Sequence, residues 1–231
     1  MTDTHRPQFP PLRPREGEPL SVVVLASGSG TLLQALIDHF HPAHHGPTQA
    51  PVRICGVGSD RECLALHRAE AAGIPTFVVP YLPGTTNRSE WNQHLRTALG
   101  RFAPDLVVSA GFMRILGPEV LADYAGRIIN THPALLPAFP GAHAVADALD
   151  YGVKVTGSTV HLIDAGVDTG PILAQRAVPV YETDRVDVLH ERIKTVEREL
   201  LVHTLQAIAE HGITLDGRKA RIPDNVTKPS R

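Results

Sequence analysis

Asn130 and His132 stand two residues apart, directly after the apolar run Arg127-Ile128-Ile129, and Pro133 follows them. Side chains two apart on a strand share a face. An amide and an imidazole therefore project together from a strand end. Pro133 disfavours helical backbone at His132 and keeps it extended. An Asn amide can donate to a developing oxyanion, and a His can move a proton near neutral pH. Asp168 lies in the loop Gly166-Val167-Asp168-Thr169-Gly170, which could reach the imidazole. A carboxylate in that place favours the charged ring. Taken singly, His132 reads equally as a structural histidine and Asp168 as a turn residue beside glycine.

A second feature is Ser27-Gly28-Ser29-Gly30-Thr31, between an apolar strand and a helix. Backbone N–H groups at such a turn can hold an anion, usually phosphate. The pattern is neither a Walker loop nor a full dinucleotide fingerprint, and a plain strand–helix turn is its other reading. His39, His41, His44 and His45 cluster before a Pro/Gly loop, without Cys or an acidic partner at a recognised spacing. They read as an exposed loop, and no metal site is expected. Cys55 and Cys63 match neither a zinc site nor a redox pair, and read as incidental thiols of a reducing compartment.

The elements that must position these residues follow from periodicity. Short β-rich runs fall at 21–26, 52–57, 76–79 and 105–109. Leu32, Leu33, Leu36, Ile37 and Phe40 recur at helical spacing. A helix is expected near 61–72, ending at Gly73, and another from the Asn87/Glu90 capping signal to Leu99. Strands alternating with helices imply a mainly parallel sheet. After His132 come two long β-rich runs, 153–162 and 171–180, read as antiparallel partners joined by the Asp168 loop. Val186, Leu189, Ile193, Val196, Leu200 and Leu205 mark one long amphipathic helix. A short strand and tail are expected from about Asp216. The expected fold is α/β: a Rossmann-like, mainly parallel sheet flanked by helices, with a partly antiparallel C-terminal extension.

A chain of 231 residues suits one sizeable domain. We expect it over 20–231, after a disordered tail at 1–19, where five prolines accompany almost no apolar pattern. A formal charge of −2 gives no basic footprint for nucleic acid. No run is long and apolar enough to span a membrane, and the N-terminus lacks a signal-peptide core. Small-molecule substrates and a cytoplasmic location are expected, and a homodimer is compatible with the chain.

The segments Ala110-Gly111-Phe112-Met113-Arg114-Ile115-Leu116, Asn130-Thr131-His132-Pro133, Pro140-Gly141 and Gly166-Val167-Asp168-Thr169-Gly170-Pro171 together resemble the formyltetrahydrofolate-dependent formyltransferases. The likeness runs from about Val22 to Pro223 and is greatest to the branch acting on phosphoribosylglycinamide in de novo purine biosynthesis. It implies formyl transfer from 10-formyltetrahydrofolate by direct attack of the substrate amine, assisted by Asn130, His132 and Asp168, without metal or acyl-enzyme. It also implies that Gly30, Thr31 and Leu32 hold the ribose 5-phosphate through backbone amides, although the family more often has Asn where Leu32 stands. Glu197, otherwise an i,i+3 partner of Lys194, would contact the ribose. Met113, Arg114, Ile115, Leu116 and Asn130 would line the folate pocket, with Arg88 near its glutamate tail. Without the resemblance, Met113 to Leu116 read as core lining with one solvated Arg, Arg88 as a surface helix Arg, and His161 as a packing residue or a support behind the catalytic ones. A formyltetrahydrofolate deformylase is the rival within the family. A nicotinamide-dependent oxidoreductase, with Asp60 as its ribose acid, and a non-catalytic sugar-phosphate binding module are rivals from other classes.

Overall fold

The strand β1 (Leu20–Leu25) is buried along its whole length, as a strand with helices over both faces must be. Its side chains alternate: Val22 and Val24 enter one hydrophobic cluster, Val23 and Leu25 another. The computed structural model that shows this describes residues 11–41 and 50–223. The chain continues through α1 (Thr31–Phe40), β2 (Val52–Ser59), α2 (Leu64–Ala71), β3 (Thr76–Val78), α3 (Arg88–Gly100), β4 (Leu106–Ser109), α4 (Pro118–Asp123) and β5 (Ile128–His132). It ends with α5 (Ala144–Tyr151), β6 (Val155–Leu162), β7 (Ile172–Pro179), α6 (Val186–His211), β8 (Thr214–Asp216) and β9 (Lys219–Arg221).

The main sheet runs β3-β2-β1-β4-β5-β6-β7. Its pairs are parallel from β3 to β5 and antiparallel from β5 to β7. This is the mainly parallel sheet with an antiparallel extension that the sequence implies. Parallel neighbours need a crossover, and helices supply it. The strand order reverses between β1 and β4. In such sheets ligands bind outside the carboxyl ends of the strands at that reversal. The loops after β1, β4 and β5 all emerge at this end. On one face α6 packs against α1, β6 and β7. On the other, Trp91, Leu95 and Leu99 of α3 pack with Val107 and Ile128.

Three details depart from the sequence reading. First, α4 and α5 were not anticipated, being six and eight residues long and too short to show a periodic stripe. Second, the C-terminal strand is a hairpin, β8 pairing antiparallel with β9. Third, the expected tail at 1–19 is not wholly free. Leu12 is buried, and its N–H and C=O both bond to Ile213. Residues 1–10, His44 and His45 lie outside the described residues.

Candidate active site

Asn130 and His132 both lie on β5, paired across to His161 and Thr159 of β6. The chain then leaves the sheet at Pro133 and folds back over the strand end. Thr159 pins this return: its hydroxyl donates to Ala134 O at 2.7 Å and accepts from Leu136 N at 3.1 Å. Gln175 of β7 donates to Leu136 O at 2.8 Å. The pinned loop delivers two backbone groups to the site. Phe139 O lies 2.7 Å from His132 Nε2, and Gly141 N–H donates to Asp168 Oδ2 at 2.8 Å. Phe139 holds a positive φ of 52° to do so, uncommon for a bulky residue.

Asp168 arrives from the β6–β7 connection. Its own φ is 54°, and the turn around it is closed by Asp164, whose Oδ1 accepts from Gly166 N and the Thr169 hydroxyl. A Cβ on Gly170 would overlap the Leu162 carbonyl oxygen, so the sharp entry into β7 requires glycine. Asp168 Oδ2 stands 3.3 Å from His132 Nδ1, with both side chains largely buried. A carbonyl can only accept, so Nε2 carries a hydrogen towards Phe139. Nδ1 faces the carboxylate on the opposite side of the ring.

His161 completes the cluster. Its Nδ1 lies 3.0 Å from Leu162 O and its Nε2 lies 3.3 Å from Asn130 Nδ2. The ring is thereby anchored to the backbone of β6 and set against the Asn130 amide. The same Nε2 lies 3.6 Å from Asp168 Oδ1. The His161 side chain, the Gly141 N–H and the His132 ring hold the Asp168 carboxyl below the ordinary carboxylate range, against the opposing effect of burial. The strand pattern leaves His161 as either a packing residue or a support behind the catalytic residues, and the structure gives it the second role. The missing signal was register: only the β5–β6 pairing sets it beside Asn130.

The glycine turn ends at the start of α1. Gly30 has φ 68° and is the N-cap of α1 with no side-chain cap, so no N-cap side chain takes up the first N–H groups of α1. A Cβ on Gly30 would stand 2.7 Å from Ala65 Cα. Leu32 is buried under the helix, which restricts its role at the turn to its main chain. Glu197 of α6 is buried at 6% exposure. Burial pushes its carboxyl up, while the Thr131 hydroxyl, Lys194 and Arg198 pull it back without cancelling the rise. Thr131 sits between Asn130 and His132, so α6 brings Glu197 to the same strand.

The segment after β4 is tied to the glycine turn through Ser27, whose Oγ accepts from Met113 N at 2.9 Å and whose N–H donates to Gly111 O. Met113 and Ile115 are large, exposed apolar side chains, whereas Leu116 is buried. Arg114 is not solvated freely: Nε donates to Asp60 Oδ2 at 2.8 Å, and its guanidinium lies 4.6 Å from the Tyr81 ring centre. Burial opposes ionisation of Asp60, but the Ser27 hydroxyl, Arg114 and Arg61 overcome it and hold the carboxyl low. Asp60 thus serves Arg114 in this structure. Arg88 donates to Ile115 O at 3.0 Å, so it borders the same segment. Among the described residues, no group of three or more His, Cys, Asp or Glu is placed to hold a metal ion. No described helix is long and apolar enough to cross a membrane.

The formyl transferase family profile matches residues 20–205. A phosphoribosylglycinamide formyltransferase of Mycobacterium tuberculosis is 54% identical over 94% of this chain and 98% of its own length. The crystal structure of glycinamide ribonucleotide transformylase 1 from Symbiobacterium toebii superposes with a TM-score of 0.83 at 40% identity, covering 90% of this chain and 96% of that one. A formyltetrahydrofolate deformylase from Pseudomonas syringae is more distant in sequence. It is 28% identical, with a TM-score of 0.80, over 88% of this chain and 66% of that one. By sequence and by fold, the chain belongs to the formyl transferase family, among the phosphoribosylglycinamide formyltransferases.

Proposed function

We propose that this chain transfers the formyl group of 10-formyltetrahydrofolate to the amine of 5-phosphoribosylglycinamide, a step of purine biosynthesis. The observation that carries the reading is the cluster of Asn130, His132 and Asp168 at the end of β5 in a chain of this family. The amine lone pair attacks the formyl carbon and negative charge develops on the formyl oxygen. Asn130 donates from Nδ2 to that oxygen. His132 donates its Nε2 hydrogen, exchanging Phe139 O for the oxyanion. Fixed donors of this kind lower the barrier because they are already oriented when the charge appears. Asp168 holds the imidazole in place and orders a water that carries the amine proton away. The bond from the formyl carbon to the folate nitrogen then breaks, and that nitrogen takes up a proton.

The remaining residues bind. Main-chain N–H groups of Gly30, Thr31 and Leu32 hold the 5-phosphate at the α1 N-terminus, where the helix dipole favours an anion. Glu197 accepts from the ribose hydroxyls. The folate ring lies against the backbone from Met113 to Leu116, with the Met113 and Ile115 side chains at the rim and Arg88 at the glutamate tail. Deformylation, with water replacing the amine, is the second reading, favoured by the shared fold with a deformylase. A spectroscopic assay of tetrahydrofolate release separates them. Release that depends on phosphoribosylglycinamide supports transfer, and equal release without it supports deformylation.

A further inference from the structure

The glycine turn lacks the lysine of a Walker loop, yet a cation is built against it. Helix α2 docks on the turn at three points. Ala65 packs on Gly30, Ala65 N–H donates to Gly28 O at 3.1 Å, and Arg68 Nε donates to Ser29 O at 2.8 Å. Arg68 Nη1 also donates to Gln34 Oε1 at 2.8 Å. The guanidinium is thus fixed at both edges, one bond to the turn and one to α1. Its Nη2 makes no hydrogen bond among the described residues. It borders a groove between α1 and α6 that also takes in Thr31, Gln34, Arg198 and Val202. The groove's acidic side chains are engaged elsewhere: Glu199 pairs with Arg176 at 2.7 Å, and Asp38 accepts from Gln34.

We propose that Arg68 is a specificity residue for the phosphate of the substrate. It supplies the positive charge that the main-chain turn lacks and locks the Ser29 carbonyl away from the anion. The inference rests on the reading of Gly30–Leu32 as the phosphate site. A rigidly held Arg presents donors without losing further side-chain entropy on binding, and charged hydrogen bonds to phosphate are the strong ones.

The test is steady-state kinetics of Arg68→Met and Arg68→Lys with phosphoribosylglycinamide and with its dephosphorylated riboside, over a range of salt. Removing a charged hydrogen bond predicts a rise in KM for the phosphorylated substrate of about tenfold in Arg68→Met. kcat and the KM for the formyl donor stay within about twofold, within the scatter expected for a site left intact. The riboside is handled as by wild type. Arg68→Lys recovers part of the loss, and the salt dependence of KM flattens in Arg68→Met. KM rising equally for both substrates, or not at all, overturns the proposal and leaves Arg68 a helix tether. A wild type that does not prefer the phosphorylated substrate overturns the phosphate reading of the turn itself, a result distinct from either.

Discussion

Asp168 Oδ2 is shared between the His132 ring, at 3.3 Å from Nδ1, and the Gly141 N–H at 2.8 Å. One carboxylate oxygen thus joins the end of β5, the loop that follows it and the β6–β7 turn. Orientation of the imidazole and closure of the loop over it are consequences of the same contact.

In the proposed mechanism Asn130 donates to the oxyanion, and replacing it by Ala removes that donor. kcat should fall by ~10²–10³, while the KM for phosphoribosylglycinamide changes little, since the phosphate turn is separate. Initial-rate kinetics check this, and a near wild-type kcat would remove Asn130 from the chemistry.

The Asp168 carboxyl is held low by His161, Gly141 and His132. A depressed folded value stabilises the fold above the unfolded pKa, about 4, and that contribution disappears as pH falls through the folded value. The melting temperature of wild type should therefore exceed that of Asp168→Asn near neutrality. The gap should shrink as pH falls below about 4 and close once pH passes beneath the depressed folded value, where the wild-type carboxyl is protonated too. A gap that is constant with pH would mean that the carboxylate charge contributes nothing to the fold.

Glu197 presents the opposite sign, because burial raises its carboxyl. Folding then disfavours the charged form. That cost is absent below the unfolded pKa of about 4.3 and complete above the folded value. Glu197→Gln should gain stability relative to wild type as pH rises, while its KM for phosphoribosylglycinamide increases. Thermal melts across pH and a KM measurement test the two halves separately. Unchanged KM would place Glu197 outside the substrate site.

Gly30→Ala should lose stability and substrate affinity together. A left-handed non-glycine residue costs roughly 1–2 kcal/mol, and the new Cβ meets Ala65 backbone that cannot swing aside. Denaturant titration with KM for phosphoribosylglycinamide reads both. A variant as stable as wild type would show that the turn can be rebuilt.

Local pattern carried much of the architecture. Alternation and length placed the strands, and Asn87 does cap α3, accepting from Ser89 N and Glu90 N. The pair Asn130 and His132 was legible because both lie on one strand, with Pro133 marking its end. What was not legible depends on pairing across the chain. His161 reaches Asn130 only through the β5–β6 register. The Phe139 carbonyl is aimed at His132 by a loop whose course is fixed by Thr159 and Gln175. Nothing local in the sequence pairs Asp60 with Arg114, 54 residues further on. Leu12 carried no periodic neighbours, and its burial comes from a bridge to Ile213 at the other end of the domain.

In the proposed mechanism His132 and Asp168 act as one catalytic unit. A double-mutant cycle on kcat, with His132→Ala, Asp168→Asn and the pair, tests it directly. Residues that work as a unit are strongly non-additive. Each single variant should lose ~10²–10⁴ in kcat, and the double variant should be about as slow as the slower single one. If instead the two losses multiply, His132 and Asp168 contribute independently and the proposed arrangement is contradicted.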